Sequence, residues 1–192
     1  MSDPNGPTGA DPSQSNPAPP PGAAPPPPPP QYGAAPQAPG PQVGAGYGGL
    51  GKRFLARLID GLLVGIPMYI ILLVLPGIQP YGLVGYIIMA AAHFAYFLFM
   101  ETSQGATFGK QWLGMAVRDN SGGAAISMDA SMRRNWWILL GALQGIPVLG
   151  LIASLASLVI VIVIAVTISS DPQRQGFHDK MANTFVVDPA PA

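Results

Sequence analysis

One aspartate of the sequence lies in a long apolar stretch, close to two arginines. Asp60 follows Arg57 by three positions and Arg53 by seven, so an α-helix places the three side chains on or near one stripe. Such a carboxylate can bind a cation or relay a proton. It can equally pair with Arg57, Arg53 or another arginine and hold neighbouring helices in register. The sequence leaves both interpretations open.

The remaining titratable groups are few and give no catalytic constellation. His93 lies in the second apolar stretch, where it is either a packed, hydrogen-bonded histidine or a relay partner of Asp60. Near the end of the chain, His178 and Asp179 form either a hydrogen-bonded structural element or part of a polar site. Because the chain has two histidines and no cysteine, we predict neither a metal site nor a cofactor.

The segment from Gly105 to Lys110 invites comparison with a phosphate-binding loop. Its glycine spacing is one residue shorter than in GxxxxGK[ST], and Gln111 stands where a hydroxyl is needed to hold Mg²⁺. We therefore do not predict nucleotide binding. Since no nucleophile and base are arranged together elsewhere in the sequence, we do not predict an enzyme either.

The composition indicates that lipid surrounds these polar residues. The chain is 49% hydrophobic and only 9% charged, whereas soluble domains have about 25% charged residues. Its formal net charge is zero, which gives nucleic acid no basic surface to bind. The first predicted partner is therefore the lipid bilayer, and nucleic acid is not a partner.

Three apolar stretches predict an all-α fold, a small transmembrane bundle of three to four membrane segments within a membrane domain at 51–187. The predicted spans are 54–75, 81–100 and 136–168, and residues 188–192 form the C-terminal end. The third stretch would be about 50 Å long as one helix, so we predict a break near 146–150. Its first half is then either an interfacial segment before a third span or one arm of a tight hairpin.

Glycines at a spacing of four predict close helix packing. Gly61 and Gly65 form one such pair in the first span, and Gly141 and Gly145 form another in the third stretch. Because three or four helices enclose little space, a transporter of this size is expected to be a homo-oligomer.

Residues 1–50 contain most of the 23 prolines, with glycine and alanine between them, and we predict a disordered tail. It is either a solvated tether or a docking peptide for a protein partner that recognises polyproline. The loop 76–80 has no positive charge, whereas basic residues flank the first span and follow the second, which predicts a cytoplasmic N-terminus.

Four motifs occur in an order that is specific when taken together: Arg53-x-x-Ala56-x-x-x-Asp60, Gly105-x-Thr107-x-Gly109-Lys110 continuing to Asp119, Arg134-Asn135, and Gly176-x-His178-Asp179 continuing to Val187. In this membrane context they resemble the RDD family of bacterial membrane proteins. The resemblance covers 51–187 and implies a multi-pass protein of the bacterial plasma membrane.

The family is named after one arginine and two aspartates. Arg53 and Asp60 fit the first two, and Asp179 is our assignment for the third, with Asp119 as the competing one. Side chains expected to support this polar motif, as an ion or proton site, are Arg57, His93, Lys110, Asp119, Arg134 and His178.

The resemblance implies less about activity than about fold. Transport of ions or small ligands, including cation/proton exchange, has been proposed for members of the family. We therefore expect transport of ions or small solutes that uses the intramembrane aspartate. The alternative is a non-catalytic membrane subunit, or an assembly or interaction factor of a larger membrane complex.

Overall fold

The computed structural model describes residues 46–120 and 123–188. Its elements in chain order are β1 (Gly46–Tyr47), α1 (Leu50–Val74), α2 (Leu83–Gln104), α3 (Phe108–Trp112), β2 (Ala116–Asp119), α4 (Met128–Asn135), a 3₁₀ segment (Trp136–Gly145), α5 (Pro147–Ser170), α6 (Phe177–Met181) and β3 (Thr184–Asp188). Of the predicted tail, 1–50, residues 1–45 lie outside the described residues.

Helices α1, α2 and α5 are each long and apolar enough to cross a membrane. Their outer surfaces carry exposed large apolar side chains such as Leu73, Val84 and Leu151, which a bilayer would cover. The predicted class, a small helical membrane bundle, is confirmed. Helix α1 begins before the predicted boundary and α2 ends after it, because both helices continue beyond their apolar stretches into the polar end of the molecule.

The stretch from residue 136 to 170 is a hairpin, and Pro147 opens its second arm as the first residue of α5. The 3₁₀ segment runs antiparallel to α2. At one end, the Arg57 guanidinium lies over the rings of both Trp137 and Phe97. In the middle, a Cβ added to Gly141 would lie 3.7 Å from Ala90 Cβ. At the other end, a Cβ added to Gly145 would collide with Leu83. Helix α5 then runs back to the polar end. Its last turn lies beside α6, since a Cβ added to Gly176 would lie 3.2 Å from Ile168 Cγ1.

A three-stranded antiparallel sheet lies at the polar end, in the order β1-β3-β2. Tyr47 pairs with Val187, and Val117 pairs with Val186. The sequence did not predict this sheet. Residues 46–50, predicted as the end of the tail, are β1, a two-residue link and the first residue of α1. The sheet packs on a small apolar core that includes Ala56.

The predicted glycine contacts are correct only in part. Gly145 allows the closest approach, since its added Cβ would overlap the backbone of Leu83. Gly65 and Gly141 make ordinary contacts, with His93 and Ala90 respectively. Gly61 has no atom within 4 Å of an added Cβ, so its assignment to helix packing is wrong. It lines a cavity instead.

Candidate functional site

Three carboxylates are completely buried at the polar end of the helices. Asp60 lies in α1, Glu101 in α2 and Asp179 in α6, and each has 0% relative exposure. A buried ionised carboxylate is tolerated only when charges or hydrogen-bond donors compensate the lost hydration. The partners of these three carboxylates therefore define the chemistry of the site.

Asp60 is compensated by neutral donors. Its Oδ1 accepts hydrogen bonds from the Tyr96 hydroxyl at 2.7 Å and the Gly109 amide at 2.8 Å. Its Oδ2 accepts one from the Thr107 hydroxyl at 2.6 Å. None of the ion pairs in 46–120 and 123–188 includes Asp60, so the arginine partner that one of the two interpretations allowed is not present there.

Two of these donors, the Thr107 hydroxyl and the Gly109 amide, lie at the start of α3. Thr107 is the N-cap of α3 and also accepts a bond from the amide of Lys110. Gly109 lies against α1 so closely that an added Cβ would overlap the carbonyl oxygen of Ala56 and lie 3.0 Å from Asp60 Oδ1. The carboxylate thus fixes the first turn of α3 against α1, where the helix dipole favours negative charge.

Asp179 is the acceptor for two arginines. Arg53 Nη1 donates to Oδ2 at 2.5 Å, and Arg134 Nη1 donates to Oδ1. Burial alone would raise the pKa of Asp179, but Arg134, His178, Arg53 and the amide of Gly176 together hold this pKa well below its usual value. Asp179 is therefore ionised and joins α1, α4 and α6.

His178 lies next to this pair and is uncharged at neutral pH. Burial is the main cause that lowers its pKa to about 3. Asp179 raises this pKa, whereas the positive charges of Arg134, Arg57 and Arg53 lower it further. Its Nε2 is 3.4 Å from Asp179 Oδ1. Its Nδ1 is buried and has no hydrogen-bond partner in the described residues, so this contact with Asp179 is the one polar contact of the ring there.

Glu101 is a buried site residue that the sequence did not predict. Its Oε1 pairs with Lys110 Nζ at 2.5 Å, and its Oε2 accepts bonds from Asn135 Nδ2 at 2.8 Å and Ser131 Oγ at 3.1 Å. Arg134 Nε is 3.4 Å from Oε1 and so links the Glu101 cluster to Asp179. Lys110, predicted as a supporting residue, is the counter-ion of a second buried carboxylate.

Lys110 is buried together with this carboxylate. Burial lowers the pKa of Lys110 to about 8, although Glu101 raises it, and Arg134 and Arg57 lower it further. Lys110 is thus still protonated at neutral pH but by a narrow margin. An ion pair of this kind is costly to break from one side.

Arg57 makes contacts of a different kind. Its guanidinium carbon lies 3.8 Å from the ring centre of Phe97 and 4.7 Å from that of Trp137. Its Nη1 donates a long hydrogen bond of 3.5 Å to Asn135 Oδ1. In the part of the chain that the structure describes, it forms no ion pair with a carboxylate. Two cation–π contacts therefore hold a charge that has no direct counter-ion.

A cavity of about 290 Å³ lies between α1, α2, the 3₁₀ segment and α5. Its polar lining comes from Arg57, His93, Gln144 and Ser157, and Gly61 forms part of its wall. His93 Nδ1 is 2.9 Å from the carbonyl oxygen of Met89, so one ring nitrogen is satisfied within α2. Asp60 does not line this cavity, and the structure does not join it to His93.

The predicted residues thus divide into separate groups. Arg53, Arg134, His178 and Asp179 meet in one cluster, whereas Asp60 caps α3 and His93 lines the cavity. The competing residue Asp119 lies at the end of β2, opposite Thr184 in β3. Of the two assignments for the third family residue, only Asp179 contacts Arg53.

A family model described as the RDD family matches residues 47–183. The chain belongs to the RDD family. No curated protein and no solved structure matches this chain. The match spans all three candidate membrane helices and all three buried carboxylates of this RDD protein and ends directly before β3.

Proposed function

We propose that this RDD protein is a small transport protein of the bacterial plasma membrane, with a cytoplasmic N-terminus, that binds an ion or small polar solute between its membrane segments. The cavity beside Arg57, His93, Gln144 and Ser157 carries the proposal. Polar side chains around a cavity at membrane depth are costly unless they meet water, one another or a solute.

Arg57 is the side chain that would contact the solute. It lines the cavity without a direct carboxylate partner, and its two aromatic neighbours hold the guanidinium in place. Asp60 is a weaker candidate, because three donors already occupy its oxygens and it lies outside the cavity lining. The geometry favours a solute with negative or partly negative atoms over a cation.

Two glycine substitutions in one helix make a matched test. Gly61 and Gly51 both lie in α1 and both have open space for a Cβ, but only Gly61 lines the cavity. Proton, sodium, potassium and chloride flux would be measured in liposomes containing the full chain. We expect Gly61→Leu to reduce a protein-dependent flux that Gly51→Leu leaves intact. The absence of all four fluxes would refute transport of these ions, and equal flux in both variants would refute the role of this cavity.

One observation favours the alternative, a non-catalytic membrane subunit. Asp60, Glu101 and Asp179 all have protein donors, so no buried carboxylate among them is left to exchange a coupling ion. Such a subunit would use the proline-rich stretch or its helix surfaces to bind a larger complex. Crosslinking and pull-down with and without residues 1–45 would test this, and recovery of no partner from either chain would count against it.

A further inference from the structure

A second cavity, of about 150 Å³, lies between the polar ends of α1 and α5. One wall is basic and includes Arg53, Arg57, Lys110 and Arg134. The opposite wall is apolar and comes from one side of α5, including Ile164, Ala165 and Ile168. The cavity therefore has the two surfaces that a charged amphiphile requires.

The charges of the basic wall are not balanced by contact. Asp179 pairs with Arg53 and Arg134, and Glu101 pairs with Lys110, so of the four cations of this wall Arg57 alone forms no ion pair with a residue of 46–120 or 123–188. Glu101 and Asp60 act on Arg57 only from beyond ion-pair distance, and a cation without a contacting counter-ion beside a low-dielectric wall attracts an anion. The ligand that fits this wall is negatively charged.

Two buried N–H groups of the same cavity also lack acceptors. Arg53 Nη2 and Trp137 Nε1 make no hydrogen bond to any residue in the described part of the chain, and both side chains line the cavity. Arg53 itself is only 9% exposed. Buried donors are seldom left without a partner, so an oxygen-bearing ligand would satisfy them.

The size and position of the cavity indicate how much of the ligand enters. Pockets for drug-sized ligands are about 300 to 1,000 Å³, so only a headgroup would fit. The rim includes Phe54 and Val161, which are 67% and 45% exposed on surfaces that face lipid. A chain attached to the headgroup could therefore leave the cavity along α5 into the bilayer.

We propose that this cavity binds the phosphate headgroup of an acidic phospholipid, held by Arg53, Arg57 and Trp137, with its acyl chain along Ile164 and Ala165. Basic pockets between membrane helices on the cytoplasmic side are a recognised way to bind such headgroups. The bound lipid would supply the missing charge beside Arg57 and would fill the gap between α1 and α5.

The test uses native mass spectrometry of the full chain in detergent. Dioleoyl-phosphatidylglycerol and dioleoyl-phosphatidylcholine, which share their acyl chains, would be titrated separately. We expect one site with about tenfold tighter binding of the glycerol lipid, because its phosphate charge is not neutralised by choline. Equal binding of both lipids would overturn the proposal.

Neighbouring positions on α5 provide the matched variants. Ala165→Phe fills the cavity, whereas Val166→Phe adds a similar ring on the exposed surface of the same turn. We expect the first to abolish the preference for the acidic lipid and the second to preserve it. Arg57→Gln should also abolish it, and because Arg57 has no carboxylate partner, this variant should keep the fold. Preserved preference in both Ala165→Phe and Arg57→Gln would refute the site.

Two competition experiments test whether the bound anion is a phospholipid, a free phosphate or a fatty acid. Inorganic phosphate or oleate that displaces the lipid at an equal concentration would overturn the assignment to a phospholipid. The lipid site and the proposed transport cavity share Arg57 and Trp137, but Gly61 lines only the larger one. Gly61→Leu should therefore retain lipid binding, and its loss in that variant would contradict two separate sites.

Discussion

Arg53 and Asp179 form an ion pair of 2.5 Å between positions that are 126 residues apart. The contact ties the first turns of α1 to the short helix α6, and Arg134 brings α4 to the same carboxylate. Three segments that are distant in the sequence thus depend on one buried charge.

The two arginines should not be equally important for stability. Arg134 contacts both Asp179 and Glu101, whereas Arg53 contacts Asp179 alone among the carboxylates. We expect Arg134→Met to destabilise the protein by about 3 to 5 kcal/mol and Arg53→Met by less, because either variant leaves Asp179 one arginine but only the loss of Arg134 also removes a partner of Glu101. Thermal unfolding in detergent measures both, and an equal or reversed order would contradict this arrangement.

Glu101 and Lys110 should behave as a unit. Glu101→Gln leaves Lys110 buried without its closest counter-ion, with an expected loss of about 3 to 5 kcal/mol. Adding Lys110→Met to that variant should recover much of the lost stability. The exposed pair of Arg133 and Asp129 is the control, since its removal should change little. Additive losses in the double variant would show that the two side chains are independent.

Asp60 should stabilise the fold through its hydrogen bonds to neutral donors. In Asp60→Ala the amide of Gly109 loses its acceptor and cannot turn towards water, which costs about 1 to 3 kcal/mol for that group alone. Asp60→Asn keeps one oxygen and should lose less. The unfolding temperatures of the two variants check the order. If Asp60→Asn is as stable as the native chain but has no flux in liposomes, the carboxylate has a transport role that the proposal denies.

Stability should fall as the pH drops below the usual pKa of histidine. The pKa of His178 is near 6.5 in the unfolded chain and lowered to about 3 in the fold, so the unfolded state binds the extra proton first. The stabilisation is complete above about pH 6.5 and decreases by about 2 kcal/mol between pH 6.5 and about pH 5. His178→Gln should show a flatter dependence of the unfolding temperature over this range. An identical slope in both proteins would rule His178 out as the cause.

The apolar stretches predicted the membrane helices well because a long uncharged run has few other stable outcomes in lipid. The start of α4 is also set locally, since the hydroxyl of its N-cap residue Ser127 accepts a hydrogen bond from the amide of Ala130. The strand β1 was missed because Gly46 and Tyr47 alone carry no periodic signal, and its position depends on pairing with β3.

The partners of the buried carboxylates were harder to predict. The helical stripe places Asp60 near Arg57, but Thr107 and Gly109, which are 47 and 49 positions away, provide its hydrogen bonds. Glu101 ends an apolar helix and meets Asn135 from 34 positions away, without a local pattern that links them. Contacts between distant segments decide these partners, and local spacing does not encode them.

The winding of the 3₁₀ segment determines how far ten residues can reach. At about 2.0 Å per residue they extend about 20 Å, whereas the same residues as an α-helix would extend about 15 Å. The stretched winding therefore lets a short arm match the distance from Phe97 to Leu83 along α2. About three inserted residues would let an ordinary α-helix cover the same length, whereas a deletion would pull the turn at Gly145 away from Leu83. The length of the 3₁₀ segment thus determines the height of the larger cavity, which it lines.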